Sequence, residues 1–161
     1  MTNQRTVVAA PGTQSIAFSR EFEASAARVF NAHVDADLVA QWTGPRGSTF
    51  RMRRFDAQTG GSWSYVIAGS DRQWAFHGSF HEVTALTRIV QTWEFDDEPG
   101  HPTLETFTFV DLPDGRSRID GLTVFLSAED RDANLLGGFD SGRDDDFERL
   151  DELLTPTAIT T

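Results

Sequence analysis

Large apolar residues alternate with small or polar ones through most of the chain. Ile16, Phe18, Arg20 and Phe22 alternate with Ala17, Ser19, Glu21 and Glu23, which predicts a strand over 15–23 with Phe18 and Phe22 inward. Strand patterns recur over Thr49–Asp56, Ser62–Ala68, Gln73–Val83, Arg88–Phe95, Thr103–Leu112 and Arg116–Leu126. Thr59-Gly60-Gly61, Gly69-Ser70-Asp71 and Pro113-Asp114-Gly115 supply residues suited to tight turns between them. A longer loop bearing Pro and Gly spans Asp97–Pro102. Six consecutive strands with such connections predict an antiparallel meander.

Helical patterns occur at two places. Ser25 is placed to cap a helix carrying Val29, Phe30 and His33, because its hydroxyl can accept from a first-turn amide. Asp35 or Asp37 restarts a second short helix that ends near Trp42, where Thr43-Gly44-Pro45 stops it. After Ser127, the residues Leu136, Phe139, Arg143, Phe147, Leu150 and Leu154 recur every three or four positions, the spacing of one helical face. Gly137, Gly138 and Gly142 interrupt that face, and each costs about 1 kcal/mol relative to Ala, so a bend in the first half is expected.

The expected fold is therefore α+β: a curved antiparallel sheet of about seven strands, two short helices, and a long C-terminal helix packed over the sheet. Residues 1–14 read as a flexible N-terminal arm, 15–154 as a single domain, and 155–161 as a frayed tail. One helix cannot fill the concavity of such a sheet, so a space between the two is expected.

Composition narrows the functions available. The chain of 161 residues lacks cysteine, which excludes disulfides, thiolate metal sites and thiol nucleophiles and fits a cytoplasmic location. All 14 basic residues are arginine and the net charge is −11, so nucleic acid and anionic membranes are not expected partners. No apolar run approaches the length of a membrane span. The run Asp144-Asp145-Asp146 reads as a solvated helix face.

The aromatic residues carry the strongest functional signal. Trp42, Trp63, Tyr65, Trp74, Phe76, Trp93, Phe107 and Phe109 form either a thick core or the wall of a pocket. The parity of Phe107 and Phe109 is left open by the pattern. His77 and His81 share a strand face roughly 13 Å apart at about 3.3 Å per residue, too far to chelate one metal together. No nucleophile elbow is present, so nucleophilic catalysis has no support and no catalytic residue is assigned. Glu82, Arg118, Asp120 and Arg143 are the charges whose spacing could turn them inward; an acid paired with Arg143 would give a cavity one polar end.

Phe30, Asp35, Leu38 and Trp42-Thr43-Gly44-Pro45 resemble the helix pair of the SRPBCC (START-like, helix-grip) superfamily. The branch it looks most like is named for the C-terminal domain of the heat-shock ATPase activator. Similar agreement runs through Gly60-Gly61-Ser62-Trp63, Phe76-His77-Gly78, Arg88 to Phe95, Pro99-Gly100-His101, Leu104-Glu105-Thr106, Glu129 to Asp132 and Phe147 to Leu154. The resemblance covers nearly all of 16–154 and is specific for fold more than for function. It implies a deep cavity between sheet and long helix, used by relatives for lipids, sterols, polyketides or hormones. Arg143 departs from it, since small bacterial relatives are usually apolar there.

The resulting expectation is a binding protein for an apolar or amphipathic small molecule, with no metal and no covalent cofactor. Its ligand-binding residues are expected to be Trp42, Trp63, Tyr65, Phe76, His77, Trp93, Phe107, Phe109, Phe139 and Arg143. Two alternatives stand beside it: a module that engages a chaperone partner, and a cyclase or hydrolase using His77 as a cavity base. A homodimer is expected from the frequency of dimers in this fold.

Overall fold

A computed structural model describes residues 3–155, with the side chain of Phe139 also outside the described set. Its elements are β1 (Thr6–Val8), β2 (Ser15–Phe22), α1 (Ala26–Val34), α2 (Ala36–Trp42), β3 (Thr49–Phe55), β4 (Ser62–Ala68) and β5 (Gln73–Thr84). They continue with β6 (Arg88–Phe95), β7 (Thr103–Asp111), β8 (Ser117–Val124), α3 (Ala128–Leu136) and α4 (Phe139–Leu154). All eight strands join one antiparallel sheet in the order β1-β2-β8-β7-β6-β5-β4-β3.

The meander is as the alternation predicts, and α1 and α2 make the connection from β2 to the far edge at β3. Irregular registers between Met52 and Arg54 and between Phe80 and Glu82 bend β3 and β5. Ser25 and Asp35 cap the two short helices: Ser25 Oγ accepts from the Arg28 amide, and Asp35 Oδ1 from those of Asp37 and Leu38.

The N-terminal segment differs from a flexible arm. Thr6–Val8 pairs with β2, which brings the sheet to eight strands. Arg5 anchors it: its guanidinium lies 2.9 Å from Asp140 Oδ2 and 2.6 Å from Asp144 Oδ1, and stacks 5.3 Å from the Phe18 ring. A three-residue strand has almost no periodic signal, and the partners of Arg5 lie some 140 residues away. Residues 156–161 of the expected tail lie outside the described set.

The C-terminal helix is two helices. Gly138 adopts φ 80°, a left-handed conformation that breaks the ladder between α3 and α4. Ser127 caps α3 through the Asp130 amide at 3.0 Å. One face of α4 puts Phe147, Leu150 and Leu154 into the core, where Phe147 meets Phe18 and Phe22 at 5.7 and 5.4 Å. Full burial of such an aromatic stabilises the fold by roughly 1.5–3 kcal/mol. Arg20, inward on β2 as its place in the alternation implies, pairs with Asp151 at 2.8 Å and holds the far end of α4.

Candidate functional site: an aromatic cavity under the C-terminal helices

A cavity of about 500 Å³ lies between the concave face of the sheet and the helices. Its floor comes from strands β4 to β8. Alternation places Trp63 and Tyr65 of β4 beside Phe76 of β5 and Trp93 of β6. Trp63 and Tyr65 stack at 5.1 Å and 22°, Phe76 and Trp93 at 5.1 Å and 29°, and Tyr65 meets Phe76 at 5.6 Å. Four rings thus form one continuous wall across three strands.

The wall depends on a close approach at Gly78, which pairs with Trp63 in the β4–β5 ladder. A Cβ on Gly78 would lie 1.9 Å from the Thr92 carbonyl oxygen and 2.6 Å from the Trp63 indole nitrogen. Only glycine lets the Trp63 ring lie against that backbone.

Helices supply the other wall. Trp42 ends α2, where its indole N–H donates to the Ala32 carbonyl at 3.0 Å; it stacks 6.3 Å from Phe147 and sits 4.8 Å from His33. The break between α3 and α4 falls at the cavity rim, where Asn134, Gly137 and Gly138 line it. A second depression of about 480 Å³ adjoins this end, sharing Trp93, Thr103 and Phe125, and His101 bridges it to Asp130 at 2.9 Å.

One ion pair sits inside. Arg143 of α4 reaches down to Glu105 of β7, Nη2 to Oε2, at 2.5 Å, and its guanidinium lies 5.1 and 5.4 Å from the Phe18 and Phe107 rings. Glu105 is 4% exposed and also accepts from Gln91 Nε2 at 3.1 Å. The acid expected to meet Arg143 is therefore Glu105. Asp120 and Arg118 pair with each other at 2.8 Å on the outer face, and Glu82 lies near Arg88 at 3.5 Å.

Three further titratable groups face the cavity. Burial pulls the His33 imidazole down to about 4, against the pull of its hydrogen bond to the Val29 carbonyl, so the ring is neutral at physiological pH. Burial likewise pushes the Asp146 carboxyl up to about 6, opposed by the Gly44 amide that donates to it at 2.9 Å. The Tyr65 phenol is raised first by burial and then by the Asp146 and Glu105 carboxylates.

Of the residues expected from sequence, Trp42, Trp63, Tyr65, Phe76, Trp93, Phe107 and Arg143 line this cavity together, as does Trp74. Phe109 does not; it packs beneath α1 against Phe30 at 5.3 Å and His33 at 5.2 Å. His77 is on the opposite face of the sheet from Phe76, between Asp96 at 2.6 Å and Glu94 at 3.0 Å, so the candidate cavity base is excluded from the cavity. Phe139 opens α4, with its side chain outside the described residues.

Sequence reasoning missed His33, Glu105 and Asp146. Glu105 shares the parity of Thr103 and Phe107 and so was readable once that strand was phased. Asp146 stands three residues after Arg143 on the same helical face, hidden in a run that reads as solvated. Among the described residues, no group of three or more acidic or histidine side chains is placed to hold a metal ion. No helix among them is long and apolar enough to cross a membrane.

The comparisons agree with this architecture. A model of the family described as Activator of Hsp90 ATPase homolog 1-like protein matches residues 23–155. No curated protein matches the sequence. A solved structure from Arthrobacter aurescens superposes with a TM-score of 0.85 at 22% identity, covering 95% of this chain and 92% of that one. One from Mycobacterium smegmatis gives 0.83 at 23%, covering 92% and 96%, and one from Rhodobacter sphaeroides 0.82 at 20%, covering 94% and 97%. At these identities the likeness shows the fold alone.

Proposed function

This chain belongs to the Activator of Hsp90 ATPase homolog 1-like family, and within it we propose that the chain is a binding protein for an apolar or amphipathic small molecule. The carrying observation is the cavity itself: about 500 Å³, walled by stacked rings, with a few polar groups at defined places. That combination is the general form of a small-molecule site.

Native mass spectrometry of the protein purified from its own cells tests this. A non-covalent adduct at one molecule per chain is expected, released on unfolding. A bare chain that stays bare after incubation with total small-molecule extract contradicts the proposal.

The family's description supports a second reading, stimulation of an Hsp90-type ATPase. An ATPase assay with the cognate chaperone, with and without this protein, tests it; no change in turnover dismisses it. The two assays read different events, so one result does not decide the other.

A further inference from the structure

His33 Nε2 and Asp146 Oδ2 are acceptors on the cavity wall that have no hydrogen-bond partner among the described residues. His33 Nδ1 lies 2.7 Å from the Val29 carbonyl. A carbonyl only accepts, so Nδ1 carries the proton and Nε2 keeps its lone pair. Asp146 is held through Oδ1 by the Gly44 amide, and its Oδ2 has no hydrogen-bond partner among the described residues. Both residues line the cavity and flank Trp42: His33 is against its ring, and Gly44 is two residues beyond it.

The charged donor on the lining is otherwise engaged. Arg143 is the cavity's cation, and it is bound to Glu105 and covered by Phe18 and Phe107. Its Nε and the Trp63 indole nitrogen have no partner, but they have no accessible surface either, so a bound molecule reaches neither without the wall moving. The remaining charged side chains on the lining are Asp140 and Asp145, and Arg5 pairs with Asp140 from outside. A carboxylate or phosphate entering here finds no free cation among the described residues of the lining and faces acids on α4. A ring bearing a donor finds aromatic faces and two acceptors, and a protonated amine adds attraction to those faces.

Deepening the reading of this cavity as a binding site, we propose that it selects neutral or cationic aromatic molecules that donate hydrogen bonds, with Asp146 Oδ2 and His33 Nε2 as the acceptors, and rejects anionic ones.

The test uses four compounds of one shape: methylnaphthalene, naphthalene-methanol, naphthalene-methylamine and naphthoate. Each is titrated into the full chain at about pH 8, where naphthoate and Asp146 are ionised and the amine is largely protonated. The amine is expected to bind tightest, about tenfold or more above naphthoate, with the alcohol between them. Asp146→Asn should bring the amine down to the alcohol's affinity. Naphthoate binding as tightly as the amine overturns the proposal, and so does an amine preference that survives Asp146→Asn. Four equal affinities sink the selectivity and leave the binding site standing; no binding by any, methylnaphthalene included, sinks both. The wild-type ranking alone decides the selectivity even if the variant fails to fold.

Discussion

Arg143 Nη2 lies 2.5 Å from Glu105 Oε2, so one ion pair joins the middle of α4 to the sheet floor through the cavity. The pair fixes the height of the helix above the strands and occupies the cavity's one cation among the described residues. Breaking it from one side leaves a buried charge without its partner, whereas removing both charges does not. Glu105→Gln should therefore destabilise the protein by about 3 kcal/mol, and Glu105→Gln with Arg143→Met by much less. Urea unfolding of the single and double variants measures this, and equal losses in both would show that the pair carries no coupling.

His33 and Asp146 have opposite effects on the pH dependence of stability. His33 drops from 6.5 to about 4 on folding, so the unfolded chain binds the extra proton and stability rises with pH from about 4 to 6.5. Asp146 rises from 3.8 to about 6, so the folded chain binds the extra proton and stability falls as pH rises through that window. Each effect amounts to about 3 kcal/mol, and in the wild type they nearly cancel. Asp146→Asn should expose the rise and His33→Asn the fall, as read by denaturant midpoints across pH 4 to 7. Parallel curves for wild type and both variants would contradict the assignment.

Two glycines should respond to alanine with opposite sign. A Cβ at Gly78 meets the Thr92 carbonyl and the Trp63 indole, so Gly78→Ala should cost about 3 kcal/mol and displace the ring wall. Gly142 lies inside α4 with nothing among the described residues within 4 Å of the added carbon, so Gly142→Ala should stabilise by about 0.5–1 kcal/mol. Thermal melts compare the two.

Arg5 ties the first strand to α4 through Asp140 and Asp144, with 2% of its side chain exposed. Arg5→Ala should destabilise by about 2 kcal/mol. It should also speed amide exchange in Thr6–Val8 and in the first turns of α4, while β4 to β6 stay protected. Unchanged exchange at both places would show that the anchor does not hold the helix.

How legible this was depended on the range of the interactions. Six strands of the meander and both helix caps follow from local alternation and local hydroxyl or carboxylate acceptors, and those are visible in sequence. Strand phase was the limit within a strand: one residue of register separates Phe76, on the cavity wall, from His77, on the outer face beside Asp96. Phe107 and Phe109 share a face, yet only Phe107 reaches the cavity, because α1 covers Phe109. Glu105 and Arg5 find their partners far along the chain, and no periodicity reports that. The glycine pair at 137–138 signalled an interruption; the structure makes it a full break, because Gly138 turns left-handed.

Whether the space beneath α4 accepts a molecule is read directly by methyl NMR. Ile67 and Val39 line the cavity, Ile119 is buried outside it, and Leu122 and Val124 lie exposed on the outer face of the sheet. On titration with naphthalene-methanol, the methyl signals of Ile67 and Val39 should shift and saturate at one equivalent, with Leu122 and Val124 unmoved. Shifts confined to Leu122 and Val124, or no saturable shift at Ile67 and Val39, would show that no molecule enters the cavity.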